Sequence, residues 1–201
     1  MLRAVVYNFR EGGATQVLAR AASRAGRIVY RSYIVDLYRT EVHDVPDGVA
    51  APLDVGRLTF DDLVEARYFK VVAYPEVIRA RFAAGHHCIG ARIDGELAHV
   101  AWLAVGTLPI DRGIPDIVAT GVGGVYDVFT LDAFRGRGCM THSIRRMLRD
   151  ARGLGLTRLV AAIHPGNLPS ISVFRKHGFE RIGRLTYRRL LGRTQFDYPA
   201  V

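Results

Sequence analysis

The chain has 201 residues, of which 49% are hydrophobic, and a formal net charge of +9, a size that predicts one globular domain with a sizeable core. No stretch approaches the roughly 20 apolar residues of a membrane helix, and residues 1–13 lack the apolar segment of a signal peptide, so no membrane span and a cytoplasmic location are expected. The two cysteines, Cys88 and Cys139, have no Cys/His ligand spacing, which argues against a disulfide framework or a bound metal.

The positive charge favours an anionic partner without identifying it. Nearly all of it comes from arginine, because lysine occurs only as Lys70 and Lys176. Nucleic acid, a phosphorylated cofactor and an acidic carrier protein would each satisfy this charge. The choice among them therefore depends on local sequence patterns.

The first predicted elements precede a weakly marked boundary. Residues 13–25 have apolar side chains at helical spacing, and residues 27–37 are rich in strand formers. The stretch 44–56, which contains proline and glycine, is the nearest approach to a linker. We therefore expect an N-terminal extension, residues 1–46, packed on a domain formed by residues 47–201.

Two helices and a hairpin are predicted next. Thr59-Phe60-Asp61-Asp62 is typical of a helix N-terminus and predicts a helix over 62–69, and a second helix is predicted over 75–84, with Gly85 as its stop. The Asp94-Gly95-Glu96 turn predicts a hairpin between strands at 87–93 and 97–105. Residues 106–124 are rich in glycine and contain two prolines, which predicts a loop that covers or shapes a substrate site.

The remaining chain alternates strands and helices. A strand is predicted over 125–131, and the apolar face of the following segment, which ends at Gly153 and Gly155, predicts an amphipathic helix. A buried strand over 159–163 follows. Asn167 is the candidate N-cap of a helix that ends near Gly178, and residues 179–190 return as a strand or hairpin.

The turn Arg135-Gly136-Arg137-Gly138 lies between a predicted strand and a predicted helix. The first backbone N–H groups of such a helix have no internal partners, and the helix dipole adds roughly half a positive charge there. Glycines let an anion approach the backbone, and the two arginines offer bidentate phosphate contacts. Taken alone, the signal is weak, because a glycine turn with two solvated arginines explains the same residues.

Two motifs resemble the signatures of the GNAT acetyltransferase superfamily. Phe134-Arg-Gly-Arg-Gly-Cys-Met-Thr141 resembles the acyl-CoA signature Arg/Gln-x-x-Gly-x-Gly/Ala, often followed by Thr or Ser. Asn167-x-x-Ser170-x-x-x-Phe174-x-x-x-Gly178-Phe179 resembles the second motif, in which an Asn opens the last helix and Gly-Phe closes it. A P-loop or a dinucleotide fingerprint would need residues that this turn lacks.

The resemblance implies a fold and an acyl donor. The implied fold is a mixed α/β sandwich (α+β mixed sheet) of the GNAT acyl-CoA N-acyltransferase type, with a central, mostly antiparallel sheet flanked by helices. The implied donor is acetyl-CoA or another acyl-CoA, without a metal. The residues implied in its binding are Val128, Phe129, Thr130, Arg135, Gly136, Arg137, Gly138, Cys139, Met140, Thr141, Asn167 and Phe174.

Within that set the resemblance assigns specific roles. Backbone N–H groups from Arg137 to Thr141 hold the pyrophosphate, supported by Arg135 and by the Thr141 side chain. Asn167 contacts the pantetheine arm or the ribose-phosphate side, although a plain helix cap is an equally good reading of this residue. Met140 stands where the family has Gly or Ala, and its register with the apolar helix face predicts that it points into the core.

The family reaction is a direct attack of an amine on the thioester. The resemblance places the thioester against the backbone of residues 127–131 and an oxyanion-binding N–H near Phe129. Asp127 is the carboxylate of this strand, and strand alternation predicts that it shares a face with Phe129, which makes it the candidate base. A structural ion pair with Arg92 or Arg112 would account for Asp127 equally well.

Two further side-chain types bear on proton transfer. Phe174 stands where many members of the family have a tyrosine that protonates the departing thiolate, so this chain is expected to lack that acid. Three histidines in or beside the hairpin could also handle protons, although a lone strand histidine is more often a satisfied core or surface residue; these are His86, His87 and His99.

The acceptor is not specified by the sequence. We expect a primary amine, on a small molecule or a protein, bound by residues 62–84 and 106–124. A donor carried by an acyl carrier protein is the nearest alternative, since it lacks the adenosine diphosphate that Met140 would crowd. A catalytically silent acyl-CoA-binding module, suggested by Phe174, is a second alternative. Nucleic acid is not expected as a partner, and a homodimer is left open.

Overall fold

The computed structural model describes residues 30–45, 53–66, 74–110 and 113–201. These residues form eight strands and four α-helices. The strands are β1 (Tyr30–Glu41), β2 (Asp54–Leu58), β3 (His87–Ile93), β4 (Glu96–Leu108), β5 (Ile117–Thr130), β6 (Arg158–Ile163), β7 (Glu180–Leu190) and β8 (Arg193–Asp197). The helices are α1 (Phe60–Glu65), α2 (Pro75–Ala83), α3 (Cys139–Gly153) and α4 (Leu168–Lys176).

The chain divides into two compact units. The larger comprises Val35–Gly183 and Pro199–Val201, and the smaller comprises Met1–Ile34 and Arg184–Tyr198. In the larger unit the strand order is β2-β3-β4-β5-β6-β1, and neighbouring strands are antiparallel except β5 and β6, which are parallel. In the smaller unit, β7 and β8 form an antiparallel hairpin.

The sheet of the larger unit carries a hydrophobic core on each face. Leu103 packs in a cluster with residues of α3 and α4, whereas the adjacent Trp102 packs in a second cluster with Leu63 of α1 and Ile78 of α2. Consecutive strand residues point to opposite faces, so the helices cover both sides of the sheet. The predicted α/β class, with a mostly antiparallel sheet flanked by helices, is confirmed.

The predicted amphipathic helix is α3. Its buried residues recur at helical spacing and include Ile144, Met147, Leu148 and Ala151, while arginines occupy the outer side. Gly155, with a φ of 70°, follows its end. The predicted helix α2 and the hairpin at Asp94-Gly95 are likewise present, and α1 begins at Phe60 with a capping box between Thr59 and Asp62.

The predicted loop over 106–124 is wrong. Strand β4 continues to Leu108, β5 begins at Ile117, and the two strands pair through Thr107 with Val118. At Gly124 the glycine marks close packing, because a Cβ there would lie 2.3 Å from the Thr107 carbonyl oxygen of the facing strand. Glycine at this position therefore reflects the close approach of two strands, and an acceptor loop of that length does not exist.

The N-terminal predictions have mixed outcomes. The helix over 13–25 and residues 67–69 of the helix predicted over 62–69 lie outside the described residues. The strand predicted over 27–37 is present from Tyr30 as β1, whose residues Asp36–Glu41 pair with β6 in the larger unit, and residues 27–29 lie outside the described residues. The domain boundary near residue 46 stays a prediction. Across the part of the chain that the structure describes, no helix is long and apolar enough to cross a membrane.

Candidate active site

The glycine turn leaves the start of α3 open. Gly136 and Gly138 have φ values of 78° and 82°, which a residue with a side chain adopts only at a cost. Gly138 is the N-cap of α3 and offers no side-chain cap, and the first helical bond runs from the His142 N–H to the Gly138 carbonyl oxygen. The N–H groups before His142 therefore face the turn without helical partners, as an anion-binding site requires.

A groove of about 520 Å³ begins at this turn. We call it the large groove. It is lined by Val128, Phe129, Thr130, Phe134, Arg135, Gly136, Gly138, Cys139, Met140, Thr141, Asn167, Pro169, Ser170 and Val173. The structure thus brings together all the residues predicted to bind the donor except Arg137 and Phe174. The Arg137 guanidinium instead lies 5.6 Å from the centre of the Phe134 ring.

Several groove side chains already have partners in the chain. Arg135 pairs with Asp132 at 2.7 Å, and both side chains are exposed. The Asn167 carboxamide accepts a hydrogen bond from the Ser170 N–H at 3.3 Å, so its predicted cap role is confirmed, whereas its ligand role stays a prediction. Met140 packs partly against the core beneath α3, as predicted, and also lines the groove.

A second cavity, of about 120 Å³, opens where β5 and β6 separate. Their last paired residues are Val125 and Ala161. This splay cavity shares Val128, Asn167 and Ser170 with the large groove. Its other lining residues are Val125, Tyr126, Asp127, Ala161, Ala162, Ile163, His164 and Phe174. Beyond Val125, the edge of β5 that faced β6 is therefore no longer paired with it, and its backbone is accessible to a ligand.

A β-bulge in β5 sets the position of Asp127. Tyr126 pairs with Trp102 and Phe129 with Val100, so two residues of β5 face one of β4. Asp127 has a φ of 43°. Tyr126 and Phe129 consequently pack against the same cluster although they are three residues apart. The bulge interrupts the two-residue period, so strand alternation does not establish the predicted shared face of Asp127 and Phe129, which stays a prediction.

The Asp127 carboxylate forms an ion pair with Arg81 of α2. Of the two predicted partners, Arg92 instead bonds to Asp62 at 2.9 Å. Arg112 lies outside the described residues, so a pair with Arg112 stays untested. The Asp127 side chain is 38% exposed, whereas that of Arg81 is 17% exposed. One side of the carboxylate is therefore held by Arg81, and its exposed side is accessible to a ligand.

Aromatic rings hold Arg81 in place. Its guanidinium carbon lies 5.0 Å from the ring centres of both Trp102 and Tyr126, within the range of cation–π attraction. The Tyr126 hydroxyl and His86 Nδ1 are joined by a hydrogen bond of 2.6 Å. Burial raises the pKa of Tyr126 and, with the nearby Arg81 charge, lowers the pKa of His86. We call these four residues, Arg81, His86, Tyr126 and Asp127, the Asp127 cluster.

Sequence reasoning missed Arg81, Tyr126 and His164. Arg81 lies on a correctly predicted helix, but nothing local distinguishes it from the other arginines of the chain. Tyr126 reads as an ordinary strand residue. His164 follows a predicted buried strand directly, and this position at a strand end is the signal that could have identified it.

Of the three predicted histidines, His99 is a core residue. It is 2% exposed, its Nδ1 lies 2.7 Å from the Thr130 hydroxyl, and burial lowers its pKa to about 4. It is therefore neutral and inaccessible to an acceptor. His87 is half-buried, and burial lowers its pKa as well. No group of three or more potential metal ligands occurs among the residues that the structure describes.

Comparisons with known proteins agree with this architecture. A family model described as "Acetyltransferase (GNAT) family" matches residues 58–179. The L-methionine sulfoximine/L-methionine sulfone acetyltransferase of Pseudomonas paraeruginosa (strain DSM 24068 / PA7) is 37% identical over 60 residues, which are 30% of this chain and 35% of that protein. Matched segments span about a third of the curated relatives, 34% to 35% of their length.

Two solved structures share the fold. The GCN5-related N-acetyltransferase from Kribbella flavida aligns with a TM-score of 0.56 and 18% identity over 88% of this chain and 63% of that chain. The ribosomal-protein-alanine N-acetyltransferase from Brucella melitensis aligns with a TM-score of 0.50 and 20% identity, over 69% and 99% of the two chains. At these identities the likeness concerns the fold alone.

Proposed function

The chain belongs to the acetyltransferase (GNAT) family, and from that membership we propose that it transfers an acetyl group from acetyl-CoA to a primary amine. One observation carries the proposal: the large groove, which begins at the open start of α3, meets the splay cavity through Val128, Asn167 and Ser170. A donor whose phosphates lie at the start of α3 would therefore extend along β5 towards the splay cavity, where its thioester would react.

The residues at the turn fit the phosphates of such a donor. A Cβ built on Gly136 meets no atom within 4 Å, so the space beside the turn is open. Unpartnered N–H groups at the start of α3 and the Arg135 guanidinium both suit a pyrophosphate. Val128, Phe129 and Val173 supply an apolar wall for a pantetheine arm. The bound thioester would supply the acyl group.

The splay cavity and the Asp127 cluster suit the reacting end. In the proposed reaction the amine nitrogen bonds to the acyl carbon, the carbon–sulfur bond breaks, and the amine loses a proton. Backbone N–H groups of β5 near Phe129 would stabilise the negative charge that develops on the carbonyl oxygen. Asp127, held by Arg81 and lining the cavity, would accept the proton directly or through a water molecule.

The departing thiol does not require a tyrosine at position 174. A thiol resembling cysteine has a pKa near 8.5, so leaving as a thiolate near pH 7 costs on the order of 2 kcal/mol at most. Phe174 lines the splay cavity without offering a proton. The proposed reaction therefore runs with a thiolate, or with a proton taken from solvent.

Two measurements test the proposal together. Isothermal titration with acetyl-CoA reports donor binding, and a thiol-release assay over a panel of amines reports turnover. Binding with turnover supports an acetyltransferase. Binding without turnover on any amine favours a silent acyl-CoA-binding module. Turnover only with an acyl carrier protein would favour a carrier-dependent enzyme, for which Met140 on the groove wall would be no obstacle.

A matched pair of variants tests the location of the donor. Gly136 and Gly155 both have left-handed backbone, with φ values of 78° and 70°, and a Cβ on either meets no atom within 4 Å. Gly136→Asp would place a carboxylate beside the proposed phosphate site, whereas Gly155→Asp would place it at the far end of α3. We expect acetyl-CoA affinity to fall more than about tenfold in the first variant and less than about twofold in the second. Equal losses would place the donor elsewhere.

A further inference from the structure

The hairpin of the smaller unit exposes two leucines at its tip. Leu190 is 53% exposed and Leu191 is 75% exposed. Leu190 pairs with Arg193 across the hairpin, so the connecting loop consists of Leu191 and Gly192 alone. The tip is therefore a narrow, convex point with apolar side chains in solvent.

The backbone at this tip has a leucine in an unfavourable conformation. Leu191 and Gly192 have φ values of 46° and 83°, the left-handed conformation that a two-residue hairpin turn requires at both positions. Asparagine, aspartate or glycine adopts it at little cost, whereas the Cβ of leucine is crowded there. Because the Leu191 side chain is mostly in solvent, packing does not compensate that cost. An uncompensated apolar residue points to a role outside the fold.

Arginines surround the two leucines. Arg188, Arg189 and Arg193 are exposed, and no ion pair joins them to another described residue. Residues opposite each other or two apart along a strand share a face, so Arg188 and Arg193 lie on the face of Leu190, and Arg189 lies on the other. The sequence from Arg181 to Phe196 contains no acidic residue. Positive charge therefore flanks the apolar tip on both faces of the hairpin.

We propose that this tip docks on an anionic phospholipid surface. The two leucines would enter the boundary between headgroups and acyl chains, and the three arginines would contact lipid phosphates. A stable protein interface needs about 800 Å² on each partner, far more than a two-residue point offers, whereas a membrane surface needs no matching pocket. Nucleic acid would contact the arginines but gives leucine no stacking partner.

Vesicle co-sedimentation of the full chain tests the proposal. The wild type is expected to bind vesicles of equal parts phosphatidylglycerol and phosphatidylcholine, and not vesicles of phosphatidylcholine alone. Replacing Arg188, Arg189 and Arg193 with glutamine should weaken binding by about fivefold per arginine, or about a hundredfold together. The matched control is the Arg175→Gln, Lys176→Gln double variant, which removes exposed charge from α4 and should change binding less than about twofold.

The variant Leu191→Gly separates docking from folding. Glycine suits the left-handed turn, so the melting temperature should hold or rise, while vesicle binding should fall by about tenfold or more because an inserted side chain is lost. Absence of binding by the wild type would overturn the proposal. It would equally be overturned if Leu191→Gly and the arginine variant bind like the control. Retention on duplex DNA that Leu191→Gly leaves unchanged would assign the tip to a polyanion instead.

Discussion

The large groove and the Asp127 cluster are built by opposite means. At the start of the groove, the groups available to a ligand are backbone N–H groups, and Gly136 and Gly138 leave the space beside them free of side chains. In the cluster, polar side chains bond to one another: Arg81 with Asp127, and His86 with Tyr126. A site made from backbone should tolerate side-chain changes, whereas a site made from linked side chains should fail when one of them is replaced.

The two regions also differ in what fixes them. The groove depends on local conformation, since a positive φ at Gly138 and the first turn of α3 create it. The cluster depends on tertiary packing, because Arg81 of α2 pairs with Asp127 of β5 while its guanidinium packs against the aromatic rings of Trp102 and Tyr126. Substitutions in the two regions should therefore differ in their effects.

Asp127→Asn should have the largest effect. The amide can still accept a hydrogen bond from Arg81 but cannot accept a proton, so turnover should fall by about 10²- to 10⁴-fold. Acetyl-CoA affinity should change little, because Asp127 does not line the large groove. Steady-state kinetics and titration of the same variant separate the two quantities.

The control for that variant is Asp116→Asn. Asp116 is an exposed carboxylate, and its charge acts on His86 of the cluster. It is a suitable control because the ion pair of Arg81 is with Asp127 and not with Asp116. It should leave turnover within about twofold of the wild type. If Asp127→Asn changes turnover as little as Asp116→Asn does, the Asp127 cluster has a structural role and takes no part in proton transfer.

The pH dependence of stability tests the burial of His99. Burial holds the His99 pKa at about 4, whereas an unfolded histidine has a pKa near 6.5. Between those values the unfolded chain binds a proton that the folded chain does not, so stability falls as pH falls from about 6.5 to about 4, by up to about 3 kcal/mol. Urea unfolding across this range should show a shallower slope for His99→Asn. Identical slopes would mean that another group governs acid unfolding.

The sequence predicts the groove well because its determinants are local. The apolar period of α3, the glycines before it and the Asn167 cap of α4 all lie within short segments, and each appears in the structure where it was expected. These features depend on backbone hydrogen bonding, which a few neighbouring residues determine. The half of the candidate site made from backbone could therefore be predicted from these local signals together with the family resemblance.

The other half could not be located because it depends on contacts between distant residues. A Cβ on Gly123 would lie 2.6 Å from Leu159 Cδ2, yet glycine in a sequence indicates a loop as readily as close packing. The bulge at Asp127 adds one residue to β5 and so changes the face of every residue counted past it. Strand alternation has no means of detecting such an insertion. The partner of Asp127 was missed for another reason, because Arg81 lies on a helix 46 residues away in sequence and nothing local distinguishes it.

Arg135→Ala should have a modest effect on acetyl-CoA affinity, about fivefold. Arg135 lines the groove, but its side chain is exposed and already pairs with Asp132, so solvent and that carboxylate reduce its contribution. Arg137→Ala is the matched control from the same turn. Its guanidinium lies over Phe134, and the change should cost less than about twofold. A loss above about a hundredfold for Arg135→Ala would contradict a groove built mainly from backbone.

Phe174→Tyr has the smallest expected effect and tests the point where the two regions meet. The Phe174 ring is 2% exposed and packs edge-on against Phe179 at 4.8 Å, yet it also lines the splay cavity. The cavity gives an added hydroxyl room for hydration, so the free energy of unfolding should fall by less than about 1 kcal/mol.

Turnover of Phe174→Tyr should rise by at most about tenfold, because a proton donor contributes about 10²-fold only when it is fully positioned. Thermal unfolding and steady-state kinetics of this one variant decide between two environments for the ring. If stability falls by about 1 to 3 kcal/mol with unchanged turnover, the hydroxyl has been buried without a partner in the core. The ring would then belong to the packing beneath α4, and the thiol would leave from a part of the groove that position 174 does not reach.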